Sequence, residues 1–274
     1  MIKPCPVCNA VIVKPFIKAD TFQLMQCESC GLLRTDEFDA GGTSYETGEY
    51  FVDKNRYLES WEKFCLLFDG LLDKITAYKK TGLFLDVGCG VGCLINCARE
   101  RGFSAQGVEI SPWAAGFARE KTGLDVITGS LEEAAYHSDM FDVVVVNHVL
   151  EHVPAPGALL REIRRIVKPD GLIVVGVPNA GSIMARLSGA QWASLRPEEH
   201  RWHFTPDTIK ALVRNEGLHL LRFEARDNYA AVGWGLKAIV RKVINGIAVL
   251  TDCGEAMLVF AAKSDEGALW QGLQ

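Results

Sequence analysis

Three groups of residues in this chain have the types and spacing to do chemistry. The first is a glycine turn, Gly88, Gly90 and Gly92, which closes the apolar run Leu83-Phe84-Leu85-Asp86-Val87. Glycine accepts positive φ and lets a ligand approach the backbone closely. A dinucleotide fingerprint would place its third glycine at Cys93, and a phosphate loop would need a Gly-Lys-Ser/Thr ending; neither is present. Nothing basic lies near the turn, and Asp86 sits two residues before its first glycine, so the turn suits a cationic ligand better than a pyrophosphate. Glu109 falls 21 residues after Gly88, at the end of Ala105-Gln106-Gly107-Val108, where an acid can accept hydrogen bonds from ribose hydroxyls.

The second group is Cys5, Cys8, Cys27 and Cys30, two C-x2-C pairs separated by 18 residues. That spacing fits a four-thiolate zinc site. Four thiolates complete a tetrahedral shell, so the zinc is expected to be structural rather than catalytic. A segment of about 35 residues buries little core, and a metal is a common remedy.

The third group is histidine-rich. Asn147-His148-Val149-Leu150-Glu151-His152 follows the apolar run 141–146, and His200 and His203 lie in the polar, aromatic stretch 180–204. Histidine titrates near neutral pH and can act as a general base. The i, i+4 spacing of His148 and His152 predicts one face of a helical turn. Each of these four histidines reads equally as a structural residue satisfied within the fold.

The elements that must position these groups are legible as a β/α alternation. Leu83–Val87 reads as a buried strand, 93–100 as a helix ending at Gly102, and 105–110 as the next strand. Strands are also expected at 141–147, 171–177, 218–224 and 256–262. A helical stretch is expected from about 54 to 79, with Tyr45, Tyr50 and Arg56 as candidates for a lid, and Thr205-Pro206-Asp207 starts a helix. Cys89, Cys93 and Cys97 recur every four residues and read as small apolar packing.

Taken in order, LDVGCGVG, GVEIS, FDVVVVNHVLEHV and LREIRRIVKPDGLIVVGVPN resemble the successive motifs of class I S-adenosylmethionine-dependent methyltransferases, over residues 81 to 263. The resemblance implies an α/β fold with a doubly wound, Rossmann-like sheet. It implies that Asp86, Gly88, Gly90 and Gly92 cradle the methionine part of S-adenosylmethionine, that Glu109 holds the ribose, and that Ile110 packs on the adenine. Ser130 and Leu131 would lie along the adenine edge, with Asn147 and His148 completing the cofactor site. His148, His152, His200 and His203 become candidates for the acceptor side. The exit of strand 141–147 also resembles that of ubiquinone-pathway O-methyltransferases, where an E-x-x-E-H stretch is associated with a divalent metal; here it reads His148-x-x-Glu151-His152. The Asn/Asp-Pro-Pro-Tyr/Phe motif of enzymes that methylate base amino groups or glutamine amides is absent.

The expected organisation is a zinc-ribbon-like module at 1–40, a helical linker or lid at 41–80, a methyltransferase domain at 81–264 and a tail at 265–274. The 274 residues are 49% apolar and 23% charged, with a net charge of -5 and a pI of about 5.7, which argues against a nucleic-acid partner. The N-terminal residues show no apolar leader, and nine cysteines then point to a reducing, cytoplasmic setting. An amphipathic stripe at 236–250 with basic residues off the stripe reads as a peripheral membrane contact, a dimer contact or a helix packed on its own domain. The expected activity is methyl transfer to a small-molecule, sugar or lipid-linked acceptor. An RNA methyltransferase reading RNA through the zinc module, and a non-catalytic cofactor-binding scaffold, are the alternatives.

Overall fold

The computed structural model of the chain describes residues 4–19, 21–36, 51, 61–226 and 252–263. The lid candidates Tyr45, Tyr50 and Arg56, the stripe at 236–250 and the tail from 265 lie outside the described residues.

Eleven strands and six α-helices are described. Near the N-terminus are β1 (Val13–Lys18), β2 (Gln23–Cys27) and β3 (Leu33–Thr35). Then follow α1 (Trp61–Thr76), β4 (Leu83–Val87), α2 (Cys93–Glu100), β5 (Ser104–Glu109), α3 (Pro112–Thr122) and β6 (Asp125–Thr128). Next come β7 (Phe141–Asn147), α4 (Pro156–Ile166), β8 (Val167–Pro178), α5 (Ile183–Ser188), β9 (Trp202–His203), α6 (Pro206–Asn215), β10 (His219–Arg226) and β11 (Ala256–Ala262).

The large sheet has the order β10-β11-β8-β7-β4-β5-β6. Its strands run parallel except β11, which pairs antiparallel with both β8 and β10. Central strands buried on both faces read as apolar runs, and Val143 to Val146 and Leu172 to Val175 are fully buried. The chain leaves β4 toward β5 on one side and returns through β7 on the other. In an open α/β sheet that reversal marks the ligand crevice, at the carboxyl ends of the strands.

Two glycines make the turn after β4 fit that crevice. Gly88 has φ 73°, and a Cβ there would lie 2.4 Å from Val149 Cγ2, just past β7. Gly92 has φ 91° and caps α2; a Cβ there would meet Leu124 Cδ1 at 2.4 Å. Both positions therefore need glycine for backbone conformation and for space.

The second sheet has the order β1-β2-β3-β9. Its last strand comes from residues 202–203, so a segment far along the chain completes the N-terminal sheet. Leu33 stands opposite His203 and Arg34 opposite Trp202.

Some expectations need correction. The helix expected from about 54 to 79 is described as α1 over Trp61–Thr76, and residues 54–60 lie outside the described residues. α2 begins at Cys93, so Cys89 belongs to the glycine turn; all three cysteines are nonetheless buried. His148 and His152 do not share a helical turn. His148 takes left-handed φ 57° and starts a tight turn, because the chain must reverse directly after β7. No helix among the described residues is long and apolar enough to cross a membrane.

Gly107 tests the packing behind the turn. Its φ is ordinary, yet a Cβ would lie 2.5 Å from both Cys89 Sγ and Ile95 Cδ1. Gly107→Ala is expected to lower the urea-unfolding free energy by about 1–3 kcal/mol, the usual range for overpacking. An unchanged midpoint contradicts this packing.

Candidate active site

The carboxyl ends of β4 and β5 bring two acids together. Asp86 and Glu109 are each 5% exposed. Glu109 accepts from the Gly90 N–H at 2.8 Å and from the Ser111 N–H at 2.8 Å, which ties the tip of β5 to the glycine turn. Burial pushes the Asp86 carboxyl well above the ordinary carboxylate range, and Glu109 beside it adds to the rise. Burial raises Glu109 as well, against the N–H groups of Ser111, Gly90 and Ile110, which favour its ionised form. Among the described residues no hydrogen-bond donor reaches Asp86. A pair of buried acids without a facing cation is built to be relieved by a cationic ligand carrying hydrogen-bond donors. The sulfonium, α-ammonium and ribose hydroxyls of S-adenosylmethionine fit that requirement.

Phe51 closes the other side of the turn, where a Cβ on Gly90 would meet its ring at 3.2 Å. It stacks on Trp113 at 5.9 Å, and Trp113 stacks on Phe117 at 5.6 Å. Ile110 projects from the tip of β5 and is 64% exposed. Ser130 lies in the turn after β6, where its N–H and Oγ are engaged by Glu133, and Leu131 is buried in the core.

The exit of β7 supplies the second half of the site. Asn147 ends the strand with its Oδ1 buried and without a hydrogen-bond partner. The His148 N–H donates to the Gly176 carbonyl at 2.8 Å, which fixes its left-handed backbone. His148 Nδ1 lies 3.1 Å from Glu151 Oε1; the imidazole is 33% exposed and the carboxylate 1%. Burial alone would raise Glu151, but the hydrogen bond from His148 and the neighbouring imidazoles outweigh it and bring the pKa to about 2. Because that carboxylate is ionised, Nδ1 carries the shared proton and Nε2 is the basic nitrogen.

His200 and His203 are buried, and His152 is partly buried. His152 Nδ1 bonds the Glu199 carbonyl at 2.9 Å, and His200 Nδ1 bonds the Ser194 carbonyl at 3.0 Å. The His152 and His200 rings meet edge-on at 4.7 Å. His203 Nε2 lies 3.0 Å from Thr35 Oγ1, which itself donates to the His200 carbonyl at 2.8 Å, so Nε2 carries the His203 proton. Burial depresses both His200, to about 3, and His203, to about 4. Both are nearly fully buried, which separates them from the one-third-exposed His148. Glu151, His152 and His200 offer donor atoms within 4.8 Å of one another. With two nitrogens and one oxygen, that set is unlike the oxygen-rich shell magnesium prefers.

The four N-terminal thiols converge, with all Sγ atoms within 4.8 Å of one another. Cys5 and Cys30 are 3.5 Å apart, as are Cys8 and Cys27. Thiolates about 2.3 Å from a tetrahedral zinc stand about 3.8 Å apart, so the set fits such an ion. Each pair sits on the same kind of knuckle. The Asn9 N–H closes on the Cys5 carbonyl and the Gly31 N–H on the Cys27 carbonyl, both at 2.9 Å, and Asn9 and Gly31 both have positive φ.

Thr35 and Glu199 carry no role legible along the chain, where Glu151 reads as part of a metal-associated motif. Thr35 has no local signal, because its partners lie 165 and 168 residues away.

The chain matches a methyltransferase-domain family over residues 58–222. Similar proteins include a ubiquinone biosynthesis O-methyltransferase from Cereibacter sphaeroides, 34% identical over 145 residues, covering 49% of this chain and 59% of that one. Another, from an Azoarcus species, is 32% identical over 149 residues, covering 50% and 64%. The match thus spans less than two thirds of these relatives. Among solved structures, an S-adenosylmethionine-dependent methyltransferase from Thermotoga maritima aligns with a TM-score of 0.57 at 20% identity, over 79% of this chain and 98% of that one. One from Archaeoglobus fulgidus aligns at 0.55 and 20%, over 78% and 99%. These two likenesses show a shared fold.

The buried histidines make stability depend on pH. Unfolded, His200 and His203 would titrate near 6.5. Folded, they stay neutral to about 3 and 4. Between those values the unfolded chain binds more protons, so stability falls as pH drops from about 6.5 toward 4. We expect a loss of about 1–2 kcal/mol per histidine between pH 7 and 5, and a flatter profile for His200→Gln/His203→Gln. Equal slopes in urea titrations of both proteins contradict the buried neutral state.

Proposed function

Because the chain belongs to the family of methyltransferase domains, we propose that it transfers a methyl group from S-adenosylmethionine to a hydroxyl of a small-molecule acceptor, with His148 as general base. The supporting observation is the His148–Glu151 pair, 3.1 Å apart at the carboxyl end of β7, where Val149 packs against the glycine turn. The relatives named O-methyltransferases favour an oxygen acceptor. A sugar or a lipid-linked hydroxyl belongs to the same chemical class.

S-adenosylmethionine supplies an activated methyl carbon on a sulfonium, so the protein must align the acceptor, exclude water and remove one proton. Asp86 and Glu109 bind the cationic head and the ribose, and the Gly88–Gly92 backbone gives close access. Ile110 offers an apolar face to the adenine, and Ser130 and Leu131 border it. Asn147 Oδ1, buried and unpaired, faces the need for a donor. Glu151 holds His148 by Nδ1, so Nε2 accepts the acceptor's hydroxyl proton as the new C–O bond forms and the C–S bond breaks. His152, His200 and His203, whose ring nitrogens bond to backbone carbonyls and to Thr35, act as a supporting layer rather than as bases. In this reading Cys5, Cys8, Cys27 and Cys30 hold one structural zinc.

Two experiments address these assignments. Asn tolerates left-handed φ, so His148→Asn keeps the backbone while removing the base. We expect kcat to fall roughly 100-fold or more, with cofactor affinity within about twofold; undiminished turnover refutes the assignment. For the acid pair, Glu109→Gln is expected to weaken S-adenosylmethionine binding by about 10- to 100-fold in calorimetry, from the loss of charge-assisted hydrogen bonds. Wild-type affinity should rise with pH as both acids ionise, because a cation favours their charged forms. PH-independent binding contradicts the role of the pair.

A further inference from the structure

The N-terminal sheet does more than sit beside the large one. Its inner strand β3 pairs with β9 at the sheet's edge, and β9 is tied to the turn that carries Glu151. The N–H groups of Arg201 and Trp202 both donate to the Glu151 carbonyl, at 2.8 and 3.1 Å. Trp202 Nε1 donates to the Val153 carbonyl at 2.9 Å. The peptide that holds the Glu151 carboxylate is therefore fastened to β9 on one side, while that carboxylate holds His148.

Thr35 fastens β9 to the cysteine module. Its N–H donates to the Arg201 carbonyl at 3.0 Å, its hydroxyl donates to the His200 carbonyl at 2.8 Å, and the same hydroxyl accepts from His203 Nε2 at 3.0 Å. One buried side chain thus satisfies the His200 carbonyl just before β9 and the His203 imidazole N–H within it. The opposite face of this junction is also closed. Trp202 packs with Cys5, Cys27 and Leu32, and Asn215 Nδ2 reaches the Val7 carbonyl on the first cysteine knuckle at 2.6 Å.

We propose that the cysteine module is a positioning element of the reaction site, with Thr35 as its contact residue: the Thr35 hydroxyl fixes β9, β9 fixes the Glu151 peptide, and Glu151 orients His148. This rests on His148 being the base. It makes metal loading at the four thiols a condition for fast methyl transfer.

The test compares full-length wild type, Thr35→Val and Thr35→Ser. Valine keeps the shape and removes the hydroxyl; serine restores it. Each protein is assayed for bound zinc, for S-adenosylhomocysteine binding, and for label transfer from S-adenosylmethionine into the low-molecular-weight fraction of a cell extract. Histidine-selective 15N spectra with S-adenosylhomocysteine bound report the His148 and His203 ring protons without any acceptor. We expect Thr35→Val to keep its zinc and bind S-adenosylhomocysteine within twofold of wild type, to transfer label at least tenfold more slowly, and to show altered His148 and His203 signals. Thr35→Ser should recover to within threefold. Unchanged His148 signals in Thr35→Val, an unchanged transfer rate in an active protein, or a serine variant as slow as valine overturns the proposal. Loss of zinc or of S-adenosylhomocysteine binding in Thr35→Val also overturns it, since the role is then structural. A wild type that binds S-adenosylhomocysteine but transfers no label instead defeats the His148 reading, and the spectra still decide whether Thr35 governs that ring.

Discussion

Gly88 has no room for a side chain because Val149 occupies that space. This contact joins the turn after β4 to the exit of β7, across the point where the sheet reverses its winding. Among the described residues, the groups proposed to meet the cofactor and the acceptor lie on one side of it or the other. On the β4 and β5 side stand two buried acids and a backbone stripped of side chains. On the β7 side stand Asn147, His148 and Glu151. In the proposed reading the acid pair meets the cationic cofactor and His148 serves as the base, and the Gly88–Val149 contact holds the two halves together.

Burial sets the division of labour among the ionisable groups. Desolvation holds Asp86 and Glu109 toward their neutral forms until a cation arrives, and it keeps His200 and His203 neutral throughout. Glu151 is equally buried, yet the hydrogen bond that His148 donates holds its carboxyl below the ordinary carboxylate range. Glu151 is thus paired with an imidazole, Glu109 with backbone N–H groups alone, and Asp86 with no donor among the described residues. His148, one-third exposed and carboxylate-bound, differs from the histidines whose ring nitrogens bond to the Glu199 and Ser194 carbonyls and to Thr35.

Much of this was legible in the sequence wherever the signal was local. The strand, turn and acid of 83–109 are continuous in the chain, and the cysteine knuckles announce themselves by spacing. The start of α6 at Thr205 is likewise written in its own residues, as a capping box. What stayed hidden depends on tertiary pairing. Two residues of β9 have no strand signature of their own and become a strand only because β3 lies alongside. The i, i+4 spacing of His148 and His152 suggested a helix, but the chain must turn immediately after β7, and a left-handed His148 is the local solution. Ranking the four histidines needed their burial, which residue type alone does not carry.

The account stands most directly on where a labelled methyl group goes. Purified protein, methyl-labelled S-adenosylmethionine and an extract of the source cell would be incubated, and the label followed into small-molecule, lipid, RNA and protein fractions. The account predicts label in the small-molecule or lipid fraction, in an ether that survives mild alkali, with the transfer lost when His148 is replaced. Label in RNA or protein, or saturable cofactor binding with no transfer into any fraction, contradicts it.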